Sequence, residues 1–146
     1  MAGLSDVLTT VQNGVTALNN LARQLSAASG PWTVWTPTPI PGTGAFTTAS
    51  AIGAYFVIGK LVHFSVSITV TAAGTAASTI TIALPPLGTA KRAATVVANE
   101  TVIIGFAGYG RIAAGGTDLF SILKYDNTTF IINTAVVVLT GIYELT

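Results

Sequence analysis

The sequence predicts a mainly β protein in which an N-terminal coiled-coil helix precedes an antiparallel β-sandwich with a jelly-roll-like arrangement. Apolar residues recur at alternating steps of four and three over the first 25 residues, which is typical of a coiled coil. After residue 54, apolar and polar residues alternate along several short segments that glycine-rich turns separate. No helical pattern appears after residue 30, so the remainder is expected to be all β.

The composition indicates a folded chain with little surface charge. The chain has 146 residues, of which 51% are hydrophobic and only 8% charged, against about 25% charged in typical proteins. This length suits one domain with an appendage, and so high an apolar content excludes a largely disordered chain. Six basic and five acidic residues are too few to solvate the surface of so small a domain. We therefore expect part of that surface to be buried between subunits.

The charge and residue patterns exclude several classes of function. The net charge is +1 and the basic residues are scattered, so we expect no nucleic-acid partner. Thr, Ser, Gly or Pro interrupts every long apolar stretch, so we expect no insertion into a membrane. The N-terminus shows neither the basic nor the unbroken apolar region of a secretory signal. The absence of cysteine excludes a disulfide scaffold, a zinc ribbon and thiol catalysis.

Residues 1–30 are predicted to form a coiled-coil stalk. Their apolar positions fit a heptad repeat whose a and d residues form one seam. This seam consists of Leu4, Leu8, Val11, Val15, Leu18, Ala22 and Leu25. Leucine at an a position, β-branched valine at a d position and apolar g residues favour three strands, which predicts a homotrimer. An ordinary amphipathic helix packed on its own domain is the alternative interpretation.

Residues 31–54 are predicted to form an extended connector between the stalk and the head. The segment is rich in proline, glycine and threonine, which disfavour a helix. Trp32 and Trp35 are expected to anchor it on the β domain as large apolar side chains. The β head is then expected to span residues 55–146.

The head is predicted to contain eight or nine short strands. Alternation is clearest over residues 61–70, where the apolar side chains are expected to face the core. Further strands are predicted at 55–58, 78–84, 95–98, 101–106, 109–113, 119–124, 129–133 and 135–143. The polar faces of these strands carry Ser, Thr and Ala instead of Lys and Glu, which suits close packing of subunits around a threefold axis.

Few side chains in the sequence suit catalysis. The one histidine, His63, lies on the Ser/Thr face of a predicted strand, where we expect a structural or interface role. The acidic residues form no motif of a glycosidase or of a metal site. Asp118 and Asp126 flank one predicted strand, where binding a cation competes with the ordinary role of aspartate in turns. We therefore predict that the chain is not an enzyme and has no cofactor and no metal.

Binding residues are predicted in the loops of the β head, because rigid strands commonly present contacts on variable loops. The candidate loops are residues 85–94, 113–118 and 125–128. The adjacent basic pair Lys91 and Arg92 suits an anionic polysaccharide, and it equally suits a purely solubilising role. Tyr109 and Tyr125 suit either stacking on sugar rings or packing within the subunit. The candidate binding residues are Lys91, Arg92, Tyr109, Asp118, Tyr125 and Asn127.

Four segments of the chain carry a family resemblance. They are LSDVLTTVQNGVTALNNLARQL, WTVWTPTPIPGTGAFTTASAIGAYFVIGKLVHFSVSITV, STITIALP and LTGIYEL. The first resembles the short trimeric stalks of bacteriophage tail-fibre, tail-spike and head-fibre proteins, and the other three are similar to the small β domains of such fibres. The resemblance implies a homotrimeric virion appendage with a jelly-roll-like head. It identifies no receptor-contact residues, since such fibres differ most in their loops.

The resemblance implies a structural virion protein that binds other virion proteins and whose trimeric head binds a host-surface glycan or protein receptor. A stalk of about three heptads suits a head spike, a capsid decoration or the distal piece of a multi-protein fibre better than a complete long fibre. A purely architectural role without receptor contact is the alternative. A polysaccharide-degrading enzyme and a bacterial surface adhesin are weaker hypotheses, since the sequence shows neither an acid/base pair nor a secretory signal.

Overall fold

The chain divides into two compact units, which the computed structural model describes over residues 3–28, 31–103 and 105–146. Within residues 24–28 the description covers the backbone alone. We call residues Met1–Pro31 the helical unit and residues Trp32–Thr146 the β unit.

The helical unit consists of helix α1, Leu4–Ala28, which confirms the N-terminal helix predicted from the apolar spacing. Gly3 precedes the helix, and its carbonyl accepts hydrogen bonds from the N–H groups of Asp6 and Val7. The Gly3 N–H donates in turn to Asp6 Oδ2 at 3.0 Å. The carboxylate thus satisfies a free backbone donor and lies at the positive end of the helix dipole, which stabilises the first turn.

The apolar seam of α1 is exposed along the part whose side chains are described. Leu8 and Val11 are both 57% exposed and Leu18 is 68% exposed. Leu4, Val15 and Ala22 are exposed as well, whereas the Leu25 side chain lies outside the described residues. The a and d side chains therefore form an apolar stripe on the helix surface.

The β unit is one curled antiparallel sheet with nine strands among the described residues. The strands are β1 Thr33–Trp35, β2 Ile40–Thr43, β3 Thr48–Ile58, β4 Leu61–Ala72, β5 Ala77–Ala83, β6 Ala94–Glu100, β7 Ala107–Ile112, β8 Asp118–Lys124 and β9 Ala135–Glu144. Their order across the sheet is β1-β3-β4-β9-β6-β7-β8-β5-β2. The structure thus confirms a mainly β protein with one N-terminal helix.

The core lies on the inner face of the curled sheet. Alternate residues of β4, among them Val62, Phe64 and Val66, are almost fully buried, which confirms the alternation predicted over residues 61–70. Phe130 in the connection from β8 to β9 is fully buried against the same cluster. The sheet therefore encloses its apolar side chains by curling on itself.

The curl brings the edge strand β1 close to β5, the strand next to the opposite edge. Trp35 on the edge strand β1 donates its indole N–H to the carbonyl of Ala83 on β5 at 3.3 Å. Its ring also lies against Gly53, where a Cβ would come within 2.2 Å of the ring, so that glycine is required there. Trp35 is buried and anchors β1 as predicted, whereas Trp32 is exposed and packs edge-on against Phe56.

The segment 31–54 belongs to the sheet, and its description as a connector is corrected. It contains β1, β2 and the first half of β3. Val34 pairs with Ala54 on β3, and Ile40 pairs with Thr81 on β5. Prolines are tolerated because β1 and β2 are the edge strands, which need no backbone donor on their outer side. The proline-rich pattern therefore marks the edges of the sheet.

Two predicted strands, 101–106 and 129–133, are wrong. Residue 104 lies outside the described residues, and the rest of the first segment forms a loop whose N–H groups bind the Glu100 side chain. The second segment makes only an isolated bridge at Thr129, whose hydroxyl accepts the Ile131 N–H. Side chains that capture nearby backbone N–H groups compete with strand pairing, and apolar alternation does not reveal them.

One end of the β unit, the proximal end, is where the chain enters the sheet. Thr33 at the start of β1 pairs with Tyr55, close to the end of β3. The turn at 59–60, the loops 84–93 and 113–117, and residues 145–146 lie at this end. The Ala90 N–H donates to the Gly116 carbonyl, which joins two of these loops.

The opposite end, the distal end, carries the remaining loops. They are residues 44–47, residues 73–76, the β6–β7 loop and residues 125–134. The Thr75 N–H donates to the Ala45 carbonyl and the Tyr125 N–H to the Ala107 carbonyl, so neighbouring loops are tied together. The two ends therefore present separate surfaces.

Tyr143 in the core carries a buried hydroxyl that has no hydrogen-bond partner among the described residues. Burial, with a contribution from Tyr55, raises the pKa of Tyr143 from 10.0 to about 12. Because the pKa of Tyr143 is higher in the folded than in the unfolded state, its ionisation does not lower the free energy of unfolding below pH 10. The free energy of unfolding then falls as the pH rises from 10 toward 12. We expect Tyr143→Phe to stabilise the fold by about 1 kcal/mol at neutral pH, because it removes an unpaired buried hydroxyl.

Urea unfolding at neutral pH and between pH 10 and 12 checks this prediction. Tyr143→Phe should lose less stability than the unmodified chain over the alkaline range. Tyr125→Phe, on the surface, should change neither the free energy of unfolding at neutral pH nor its decrease at alkaline pH. A neutral-pH loss of more than about 1 kcal/mol in Tyr143→Phe would show that the hydroxyl is needed.

Candidate functional site

The structure divides the six predicted binding residues between the two ends of the β unit. Lys91, Arg92 and Asp118 lie toward the proximal end, in or beside the loops 84–93 and 113–117. Tyr109, Tyr125 and Asn127 come together toward the distal end. The three predicted loops therefore do not form one surface.

At the proximal end, Lys91 and Arg92 are both engaged by one carboxylate. Lys91 Nζ donates to Glu144 Oε1 at 2.7 Å, and Arg92 Nε lies 3.8 Å from Glu144 Oε2. The hydrogen bond from Lys91 lowers the pKa of Glu144, so its carboxylate is charged at neutral pH. The basic pair is thereby partly neutralised within the chain, while its exposure to solvent keeps its contribution to stability small.

Asp118 lies in a separate groove of about 490 Å³ beside the segment that joins β1 to β2. Trp35, Pro37 and Leu84 give this groove an apolar lining. Asp118 begins β8 and Tyr125 follows its last residue, so about 20 Å of strand separates the two. Asp118 is therefore not part of the distal cluster.

At the distal end, Tyr109, Tyr125 and Asn127 form a cluster that we call the tyrosine platform. The Tyr109 and Tyr125 rings are stacked, with centroids 6.2 Å apart and planes 30° from parallel. The Tyr109 hydroxyl donates to Asn127 Oδ1 at 2.7 Å. Asn127 has a φ of 62°, a left-handed conformation that asparagine tolerates, and its N–H donates to the Lys124 carbonyl. A tight turn thus holds both rings in place.

The sequence analysis missed two cations, Arg111, which lies against a platform ring, and Lys124, which adjoins Tyr125 in sequence and lies against Phe106. Arg111 lies two residues after Tyr109 on β7, and its guanidinium carbon is 6.0 Å from the centroid of that ring. Lys124 directly precedes Tyr125, and its Nζ is 4.2 Å from the centroid of Phe106. In the described part of the chain neither cation forms a salt bridge. Strand alternation was the available signal for Arg111, because residues two apart share a face.

Asp126 contributes a negative charge in the turn next to the platform. The Thr128 hydroxyl and N–H both donate to Asp126 Oδ1, and these hydrogen bonds lower the pKa of Asp126. The positive charge of Lys124 acts in the same direction. Asp126 is therefore ionised at neutral pH, and its side chain is held within its own turn.

Glu100 is a buried carboxylate at the distal end to which the sequence analysis gave no role. It is only 2% exposed, at the end of β6. Its carboxylate oxygens accept hydrogen bonds from the N–H groups of Val102, Ile103, Gly105 and Val136. These bonds compensate the buried charge and fix the β6–β7 loop, which ends at Phe106 beside Lys124.

The described residues contain no group of three or more histidine or acidic side chains that could hold a metal ion. Among the helices described, none is long and apolar enough to span a membrane. Comparisons with protein-family models, curated proteins and solved structures find no match to this chain.

Proposed function

We propose that this chain is the subunit of a homotrimeric virion fibre or spike, a structural protein without enzymatic activity. In this proposal a trimeric coiled coil carries a jelly-roll-like β head that attaches the particle to a glycan or receptor on the host surface. Other virion proteins hold the assembly on the particle. The observation that carries the proposal is the exposed heptad seam of α1 on a chain that has little surface charge.

The seam supports assembly of identical chains. Its described members are all exposed, although leucine and valine each gain about 1.5–3 kcal/mol on full burial. Knobs-into-holes packing of three such helices buries the a and d residues of every chain at once. Gly14 lies within the helix and weakens an isolated copy, which makes association the main source of its stability.

A second apolar surface, on the outer face of β1, β3, β4 and β9, supports the same assembly. Three rows of cross-strand neighbours make up this apolar face: Phe56, His63 and Ile142; Val34, Ala54, Ser65 and Thr140; and Ile52, Ser67 and Val138. None of these side chains is acidic or a lysine or arginine. The His63 ring stacks on Phe56 with centroids 4.8 Å apart, in keeping with a role in an interface.

The apolar face is of moderate size. Its ten positions, at about 4.8 Å by 7 Å each, cover roughly 340 Å², and six of them carry apolar side chains. The largest apolar patch on a typical monomer covers about 300–600 Å² and often marks an interaction site. If neighbouring heads pack against this face, less of the surface is exposed to water, and fewer charged residues are needed to solvate it.

The position of the loops supports attachment through the distal end. The β unit begins at Trp32 at the proximal end, so any segment that precedes it is tethered there. The distal end carries the tyrosine platform, a rigid cluster of partly exposed aromatic rings. Aromatic side chains on fixed loops are common contacts for sugars and proteins.

Two experiments test the proposed function. An antibody raised against the chain should label intact virus particles in electron micrographs, and the purified protein should block adsorption of those particles to host cells. Particles without label would reject the virion assignment. Label without any block of adsorption would reject attachment and support a purely architectural role.

A matched variant sharpens the adsorption experiment. Val11→Asp combined with Leu18→Asp changes the stalk and leaves the β unit unchanged. At equal chain concentration it should block adsorption less well than the unmodified protein, because three linked heads bind with higher avidity than single heads. Equal blocking by the two proteins would show that trimer formation plays no part in attachment.

A further inference from the structure

We infer that the tyrosine platform, together with Arg111 and Lys124, is a binding site for an acidic polysaccharide. This site rests on the proposed function and specifies the ligand class of its β head. It combines two features that such a ligand requires, a fixed aromatic surface for sugar rings and cations for their carboxylate or sulfate groups.

The aromatic surface is available and rigid. Tyr125 is 62% exposed, so the part of its ring that does not stack on Tyr109 is accessible to a ligand, and Phe106 beneath Lys124 is 37% exposed. Tyr109 is fixed by its hydrogen bond to Asn127 and by its stacking on Tyr125. A flat ring presents an apolar face to the C–H groups of a sugar, and a preformed surface lowers the entropy cost of binding.

The two cations determine the expected charge of the ligand. Arg111 and Lys124 lie over aromatic rings and form no salt bridge within the described residues. A guanidinium group binds a carboxylate or sulfate through two parallel hydrogen bonds, and an ammonium group adds a mobile point charge. Asp126 offsets one of the two positive charges. Its carboxylate accepts a hydrogen bond from the Thr128 N–H and so stays in its own turn. The site therefore keeps a positive charge for an anionic ligand.

The contrast with the proximal end favours the distal site. Lys91 and Arg92 have the same number of positive charges, but Glu144 engages both of them, and within the described residues neither lies over an aromatic ring. A nucleic acid, which also combines bases with negative charge, is disfavoured because two cations per chain are too few to follow a phosphate backbone. Three copies of the site in a trimer would strengthen weak single contacts to a repeating polymer.

Binding of the full-length protein to immobilised polymers tests this inference. The polymers are alginate, which carries carboxylates, dextran sulfate, neutral dextran and single-stranded DNA. The unmodified protein should bind alginate or dextran sulfate more tightly than neutral dextran, and the binding should weaken at high salt. The first two polymers distinguish a carboxylate from a sulfate as the recognised group.

Matched variants locate the site. Arg111→Gln combined with Lys124→Gln, and separately Tyr125→Ala, should weaken binding to the preferred acidic polymer about tenfold or more. Lys91→Gln combined with Arg92→Gln removes the same charge at the proximal end and should change the affinity by no more than about twofold. Thermal unfolding should be nearly unchanged in all three, because the replaced side chains lie on the surface.

Four outcomes would overturn the inference. They are no binding to either acidic polymer, equal binding to neutral dextran, tighter binding to single-stranded DNA, and a larger loss in the proximal variant than in the distal one. If acidic polymers fail to bind while the protein still blocks adsorption, the ligand class is wrong and the proposed function stands. If acidic polymers fail to bind and adsorption is not blocked either, both the proposed attachment to a receptor and the inference about its ligand are wrong.

Discussion

Val11→Asp combined with Leu18→Asp is expected to yield single chains, whereas the unmodified protein is expected to assemble as three. Both residues occupy d positions of the seam and are exposed in the single chain. In a three-stranded coil the new carboxylates would be buried near the axis without cations, which costs several kcal/mol for each charge. Sedimentation velocity of both proteins at equal concentration measures the change.

The control for this variant adds the same charge outside the seam. Asn13→Asp combined with Asn20→Asp places two carboxylates at f positions of the same heptads, where a three-stranded coil faces solvent. This protein should keep three chains. Identical masses for the seam variant and the control would show that α1 does not assemble through its a and d residues.

Glu100→Gln is expected to destabilise the fold by about 2–4 kcal/mol. The buried carboxylate accepts hydrogen bonds from the backbone N–H groups of Val102, Ile103, Gly105 and Val136 among the described residues, and an amide would turn an NH2 group toward some of these donors. The β6–β7 loop should then lose one of its attachments to β9, because the Val136 N–H binds the same carboxylate, while the Thr101 N–H still donates to the Val136 carbonyl. Urea unfolding monitored by far-ultraviolet circular dichroism gives the change in free energy.

The matched control is Glu144→Gln, which removes an exposed carboxylate instead of a buried one. It breaks the contacts with Lys91 and Arg92, which are screened by solvent, so we expect a change of less than about 1 kcal/mol. Comparable losses in the two variants would contradict the structural role assigned to Glu100.

The sequence predicts those parts of the fold that arise from local periodicity. Helix α1 and the long strand β4 were recognised because their apolar residues repeat every three or four positions and every second position, respectively. The strands predicted at 101–106 and 129–133 failed because side chains capture the backbone there. The alternation of apolar residues does not show that the Glu100 side chain binds backbone N–H groups. It also does not show that the prolines lie on edge strands.

The candidate site was predictable only in part, for a similar physical reason. Tyr109, Tyr125 and Asn127 were named from residue type, and the structure shows that they touch. Arg111 follows Tyr109 by two residues on β7, whereas Lys124 is brought near this cluster by the pairing of β7 with β8, in which its neighbour Leu123 lies opposite Tyr109. Lys91 is separated from this cluster because its loop lies at the proximal end of the sheet, whereas the cluster lies toward the distal end, and residue type does not reveal this division.

Sedimentation equilibrium of the unmodified, full-length protein tests most directly the claim that this chain works as an assembly of identical copies. A homotrimer would have a mass of about 44 kDa, three times the 14.8 kDa of one chain. A mass near 44 kDa that persists on dilution would support the stalk and the shared apolar face. A stable, soluble protein of 14.8 kDa would contradict both.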